Sequence, residues 1–191
     1  MSENTSAKTG SPHVCSASHA GWLASSLRRL VHPPERMLRG LVREGDTAVD
    51  IGCGPGFFTL PLARLVGRDG RVIAVDLQEE MLGMMRRRAE RAGLASRIVS
   101  HRCQAAAIGL DTPADFVLAF YMVHETPDIA AFLAELHGIL KPGGKLLLAE
   151  PRFHVAQADF KRTLELATGA GFRFVAAPRI WLSLSALFAR D

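Results

Sequence analysis

One segment restricts the fold more than any other. Thr47-Ala48-Val49-Asp50-Ile51 runs directly into Gly52-Cys53-Gly54-Pro55-Gly56. A short apolar run that breaks on alternate glycines reads as a buried strand, and Phe57 to Val66 reads as a helix stopped at Gly67. The three glycines let the backbone turn sharply and approach a ligand closely, because no Cβ intervenes. The helix start beyond them presents unpaired N–H groups and the positive end of the helix dipole. In an open α/β sheet this is where ligands bind, at the carboxyl ends of the strands.

The rest of the chain repeats the alternation. Strands are expected at Arg71–Val75, Ile98–His101, Asp115–Phe120 and Lys145–Ala149. Helices are expected at Glu79–Ala92, with Gly93 as the C′ residue, and from an N-cap at Thr126 through Pro127 to Leu140. Lys141-Pro142-Gly143-Gly144 reads as a turn. A last helix, Ala156–Thr168, leads to two strands, Phe172–Ala176 and Ser183–Phe188, too close together for a crossover helix and therefore antiparallel. Alternation of this kind predicts an α/β fold, a Rossmann-like doubly wound, mostly parallel sheet in a single domain. Residues 33–191 form that domain. Residues 1–32 are a short N-terminal arm whose Trp22, Leu23, Leu27 and Leu30 need a surface to pack on, and a lid is the expected role. Pro33-Pro34 open a short helix through about Leu41.

Composition removes several classes. A chain of 191 residues allows one domain. It has no apolar stretch long enough to span a bilayer and no basic-then-apolar leader, so a cytoplasmic protein without a membrane partner is expected. Cys15, Cys53 and Cys103 make no CxxC pair, and no metal site is expected. The net charge of +4 is scattered. Its one local run, Arg86-Arg87-Arg88, reads as a solvated helix face, and no nucleic-acid partner is expected.

Asp76 ends the second strand, where a carboxylate can accept hydrogen bonds from both ribose hydroxyls of a nucleoside. Its distance from Gly56 also matches the dinucleotide fingerprint, so the glycines alone leave a nicotinamide cofactor open. Two details argue the other way. The spacing is GxGxG rather than GxGxxG. Asp50 also lies directly before Ile51-Gly52, where its charge would repel a pyrophosphate and favour a cationic ligand.

Asp50-Ile51-Gly52-Cys53-Gly54-Pro55-Gly56 resembles motif I of the class I S-adenosylmethionine (SAM)-dependent methyltransferases. Asp76 matches their acidic residue after the second strand, Asp115-Phe116-Val117-Leu118 their fourth-strand motif, and Leu140-Lys141-Pro142-Gly143-Gly144 their turn before the fifth strand. The chain is most similar in flavour to the small ubiquinone/menaquinone-biosynthesis-type members. The resemblance implies sheet order 3-2-1-4-5-7-6 with the seventh strand antiparallel, SAM as cofactor and a small-molecule methyl acceptor. It implies a cofactor site from Asp50, Gly52, Cys53, Gly54, Gly56, Phe57, Asp76, Leu77 and Phe120. Gln104 stands where relatives often carry an Asp toward the adenine, and its carbonyl can still accept that bond.

On the acceptor side, the loops after the fourth and fifth strands offer Tyr121, His124, Glu150 and His154 as catalytic candidates. Packing is the alternative for Tyr121, and a capping or structural hydrogen bond for His124. Glu125 reads as part of a helix start and Arg152 as a surface ion pair. Cys53 reads as packing against the cofactor, since methyl transfer needs no covalent enzyme intermediate. A nicotinamide oxidoreductase and a non-catalytic SAM-binding protein are the rival readings, and either a monomer or a homodimer fits.

Overall fold

A computed structural model describes residues 31–191. The expectations for Cys15, Trp22 and the rest of residues 1–30 lie outside the described residues. The elements are α1 (Pro34–Leu38), β1 (Thr47–Ile51), α2 (Thr59–Leu65), β2 (Arg71–Asp76), α3 (Glu79–Arg91), β3 (Ile98–Arg102), β4 (Ala114–Phe120), α4 (Ile129–Ile139), β5 (Leu140–Pro151), α5 (Gln157–Gly169), β6 (Phe172–Ala176) and β7 (Ser183–Arg190). One seven-stranded sheet has the order β3-β2-β1-β4-β5-β7-β6. β1 pairs in parallel with β2 and β4, β2 with β3, and β4 with β5, while β7 is antiparallel to both β5 and β6.

The pleat sends alternate residues of each central strand to opposite faces. On one face Val49, Ile51, Val117, Ala119, Leu146 and Leu148 meet Leu133 and Leu136 of α4 and Phe160 of α5. On the other, Ala48, Phe116, Leu118 and Leu147 meet Leu38 of α1 and Leu62 of α2, with Leu82 and Met85 of α3 beside Ala74. Both faces are covered, which is why the inner strands read as continuous apolar runs. Each fully buried large side chain here contributes about 1.5–3 kcal/mol relative to exposure.

Several boundaries differ from those expected. α2 starts at Thr59, because Phe57 and Phe58 still belong to the turn. α4 starts at Ile129: Asp128 caps it by accepting from the Ala131 N–H at 3.0 Å, and Thr126 instead donates to the Val123 carbonyl at 2.7 Å. The Thr126 backbone N–H bonds the same carbonyl at 3.1 Å and closes a 3-10 turn over Val123–Glu125. The Lys141–Gly144 run is a bent first part of β5 rather than a separate turn, with Leu140 opposite Ala114 and a register shift before Phe116. Lys141 holds this bend through an ion pair to Asp115 at 2.7 Å. Only glycine fits at Gly144, where a Cβ would lie 2.8 Å from the Lys141 carbonyl oxygen.

The chain winds from β1 to β2 and β3 on one side and returns to β4 and β5 on the other. The reversal lies between the carboxyl ends of β1 and β4, and the loops leaving those ends build the site.

Candidate functional site

A cavity of about 620 Å³ opens at this switch point, within the range of about 300–1,000 Å³ usual for small-molecule sites. The β1 turn supplies Asp50, Gly52, Cys53, Gly54 and Phe57 to its wall. Gly54 has φ +52°, and a Cβ there would meet nothing within 4 Å, so the turn faces open cavity. Gly56 plays a different part from the one expected. It is buried away from the cavity, and a Cβ would strike Met85 at 2.8 Å and Leu60 at 2.9 Å, so its bare backbone lets the turn seat against α2 and α3. Arg88 secures that seat by donating to the Pro55 carbonyl at 2.6 Å. Part of the arginine run read as a solvated face therefore holds the turn, whereas Arg86 is exposed and pairs with Glu79.

Asp76 and Leu77 line the cavity beside the turn. The Asp76 carboxylate accepts from the Gly54 N–H at 2.8 Å and the Gln78 N–H at 2.9 Å. Burial pushes its pKa up, and those backbone donors oppose the shift only in part. Asp50 is buried at the wall and accepts from the Thr59 hydroxyl at 2.6 Å, so its charge also orients the first residue of α2. Burial, then the charges of Asp50 and Asp76, raise the Cys53 thiol well above its ordinary pKa. Held as a thiol, Cys53 is a packing group and a poor nucleophile.

Gln104 lines the far wall with Cys103 and Ala105–Ile108. Its backbone pairs with Ala107 in a tight loop. Glu135 of α4 anchors that loop by accepting from the Ile108 N–H at 2.8 Å and the Gly109 N–H at 3.3 Å. Sequence reading missed Glu135, because nothing local to α4 marks one acid on its helix as facing a loop 26 residues away.

On the acceptor side Phe120, Tyr121, His124 and His154 all line the cavity. Tyr121 stacks on Phe120 with ring centroids 4.3 Å apart. Its backbone takes φ 62°, a costly conformation for a residue with a Cβ, held by an N–H bond to the Ala149 carbonyl at 2.8 Å. Its hydroxyl is engaged by Ser183 at 2.7 Å and His32 at 3.2 Å, so the ring forms wall and the hydroxyl ties β4 to β7.

Glu150 does not line the cavity; it is 2% exposed and acts through its neighbours. One oxygen accepts from the Val123 N–H at 2.8 Å, and the other bonds His124 Nδ1. Burial alone would lower the His124 pKa, yet the hydrogen bond and charge of Glu150, with the charge of Glu125, hold it above the ordinary histidine value. With Nδ1 held by Glu150, the other ring nitrogen, Nε2, lies 4.0 Å from the Glu125 carboxylate, and the exposed His154 ring packs edgewise with centroids 4.9 Å apart. The Glu150–His124 pair is a carboxylate-oriented imidazole at a cavity wall, a general-base arrangement.

Comparison with known proteins agrees with this geometry. Residues 48–144 match a family profile described as a methyltransferase domain. The demethylmenaquinone methyltransferase of Oceanobacillus iheyensis is 26% identical over 132 residues, 69% of this chain and 51% of that protein. The ubiquinone/menaquinone biosynthesis C-methyltransferase UbiE of Klebsiella pneumoniae is 32% identical over 110 residues, 57% of this chain and 44% of that protein. The chain spans about half the length of these relatives. A SAM-dependent methyltransferase structure from Aquifex aeolicus superposes with a TM-score of 0.81 at 25% identity, covering 91% of this chain and 97% of that one. With its glycine turn, its buried acid at the end of β2 and its β7 antiparallel to both neighbours, the chain belongs to the methyltransferase-domain family of class I SAM-dependent enzymes.

Proposed function

We propose that this chain transfers a methyl group from SAM to a small-molecule acceptor with an ionisable aromatic ring, a hydroquinone-like compound being the best fit. The observation that carries the reading is the Glu150–His124 pair facing a cavity walled by Phe120 and Tyr121.

The residues present fit the cofactor. Gly54 leaves space that a Cβ would fill, and Asp76 is a buried carboxylate at the cavity wall, held by backbone donors and placed to accept from ribose hydroxyls. Asp50 gives the wall the negative charge that suits a cationic ligand, and Gln104, Leu77 and Phe57 complete that side. SAM supplies an electrophilic methyl group on a cationic sulfonium when bound. The protein's part is to hold the acceptor in line with it, which contributes up to several kcal/mol of barrier lowering. Each transfer to an aromatic carbon or hydroxyl releases one proton. His124 Nε2 takes it, with Glu150 fixing the tautomer and stabilising the imidazolium. Tyr121, backed by Phe120, walls the acceptor position, and His154 closes the mouth.

Residues 1–32 act as a lid in this reading. Support comes from His32, which is buried, meets Phe120 edge-on with ring centroids 5.2 Å apart, and has its Nε2 bonded to the Trp181 carbonyl at 3.0 Å. His32 thus sits directly behind a wall residue of the cavity. Deleting residues 1–30 should weaken SAM or acceptor binding in a folded protein; a changed mass in solution with intact SAM affinity would make the arm a dimerisation element instead.

The enzyme is cytoplasmic in this reading, works as a monomer or homodimer and has no nucleic-acid partner. Cell fractionation, the mass in solution and a nucleic-acid shift assay check these points. Among the described residues no helix is long and apolar enough to cross a membrane. The deciding experiment measures S-adenosylhomocysteine release across quinols, phenols, thiols and arsenite. Release with quinols or phenols that collapses in His124→Ala supports the reading, and release with none of the four would make the chain a SAM-binding protein without transfer activity.

A further inference from the structure

Five of the six large hydrophobic side chains exposed among the described residues lie toward the β6 edge of the sheet: Phe174 and Val175 on β6, Trp181 and Leu182 between β6 and β7, and Phe153 on the loop after β5. The sixth, Val99, is on β3 at the opposite sheet edge. The antiparallel pairing of β5 with β7 sets Pro151 opposite Ser183, and the Arg152 N–H donates to the Leu182 carbonyl at 3.0 Å. The loop carrying Phe153 thus lies against the turn carrying Trp181 and Leu182. That turn is held outward: Leu182 has φ 57°, the Ser183 N–H bonds the Ile180 carbonyl at 3.1 Å, and His32 bonds the Trp181 carbonyl. Trp181 is left 63% exposed.

Beside this apolar group runs a groove of about 840 Å³ whose charged lining residues are Arg152, Lys161 and Arg179, with no carboxylate among them. Lys161 lies 3.9 Å from Glu165, and Arg173 on β6 pairs with Asp191. Arg152 and Arg179 make no ion pair among the described residues. An exposed indole among aliphatic side chains, with guanidinium groups around it, is the chemistry of a bilayer interface: the ring settles at headgroup level and the guanidinium forks bind phosphate. Phe153 also lines the mouth of the methyl-transfer cavity, so the patch and the mouth are continuous.

We propose that this end docks peripherally on an anionic phospholipid bilayer. Trp181, Leu182, Phe153 and Phe174 enter the interface, Arg152 and Arg179 meet lipid phosphates, and the acceptor mouth faces the membrane. This replaces the sequence-level expectation of no membrane partner with a peripheral contact and adds no spanning segment. It goes beyond the acceptor reading, since docking needs neither SAM nor acceptor.

The test is flotation of the full-length protein with vesicles of phosphatidylcholine, with and without phosphatidylglycerol, at low and high salt. The expected result is co-flotation with the anionic vesicles only, reversed by salt. Arg179→Glu should lower the partition coefficient at least fivefold, on the order of one cation's contribution, and Arg179→Lys should keep most of it. Trp181→Ala should lower it about tenfold. SAM titrations of Trp181→Ala and Arg179→Glu should match the parent protein, which separates lost docking from a lost fold or a wrong methyltransferase reading. Three outcomes overturn the proposal: no flotation at low salt, equal flotation on neutral vesicles with Arg179→Glu unaffected, or a concentration-dependent dimer abolished by Trp181→Ala without vesicle binding, which would assign the patch to a second copy.

Discussion

Replacing Asp76 by alanine isolates the cofactor side of the site. Its carboxylate offers about four acceptor positions. The Gly54 and Gln78 N–H groups occupy two of them at 2.8 and 2.9 Å, the Leu77 backbone adds a further donor, and the carboxylate lines the cavity wall. Loss of hydrogen bonds from ribose hydroxyls to this charged group should weaken SAM binding by about 1.5–3 kcal/mol, or about 10- to 150-fold in Kd. Stability should move far less. Burial raises the folded-state pKa of Asp76, so its favourable contribution is present below the unfolded pKa and lost as pH rises through the folded one. At neutral pH the charged form is therefore a cost, and removing it offsets the lost backbone bonds, leaving a net change of about 1 kcal/mol, or about 2–4 °C in Tm. Titration calorimetry with SAM and S-adenosylhomocysteine measures the first quantity and thermal melting the second. In the parent protein SAM affinity should also fall on acidification through a pH above the ordinary carboxylate range, and that limb should vanish in Asp76→Ala. A Kd within twofold of the parent, with circular dichroism unchanged, would refute the placement of the ribose.

Three other substitutions probe separate parts of the site. Glu150→Gln keeps an acceptor for Nδ1 but removes the charge that helps raise the His124 pKa, so the acid limb of kcat/KM should shift to lower pH while kcat falls about 100-fold, and a limb that stays put would exclude His124 as the base. Gly54→Val carries side-chain atoms into the cavity from a position at φ +52°; circular dichroism should show the fold retained at a strain of about 1–2 kcal/mol, and calorimetry should show SAM binding lost. Glu135→Ala frees the Ile108 and Gly109 N–H groups and should weaken SAM about tenfold in a calorimetric titration, with Glu135→Gln retaining most of the affinity.

Most of the sheet was legible because its signal is local. The β1 and β6 boundaries match the expected ones, and apolar runs bounded by Gly and Pro marked the other strands to within two residues except at β5. β5 was read short because Pro142, Gly143 and Gly144 look like a turn, and only pairing with Ala114 shows that the chain is already in the sheet. The start of α4 was misplaced because Thr126, Pro127 and Asp128 all suit a helix start, and the 3-10 turn at Val123–Glu125 decided which of them caps it. The glycine turn and Asp76 were visible as candidates because they sit at strand ends. The partners that orient the candidates were not visible. Glu150 reaches His124 across 26 positions and Arg88 reaches Pro55 across 33, contacts that exist only once the strands are side by side. Tyr121 was ambiguous for the same reason, since its hydroxyl partners, His32 and Ser183, come from opposite ends of the described chain.

Titration calorimetry of the full-length protein with SAM, S-adenosylhomocysteine, NAD and NADP tests the central claim most directly. The glycine turn, Asp50 and Asp76 predict saturable binding of SAM and S-adenosylhomocysteine at one site, lost in Gly54→Val, and no binding of either nicotinamide cofactor. NAD binding tighter than SAM would contradict the account.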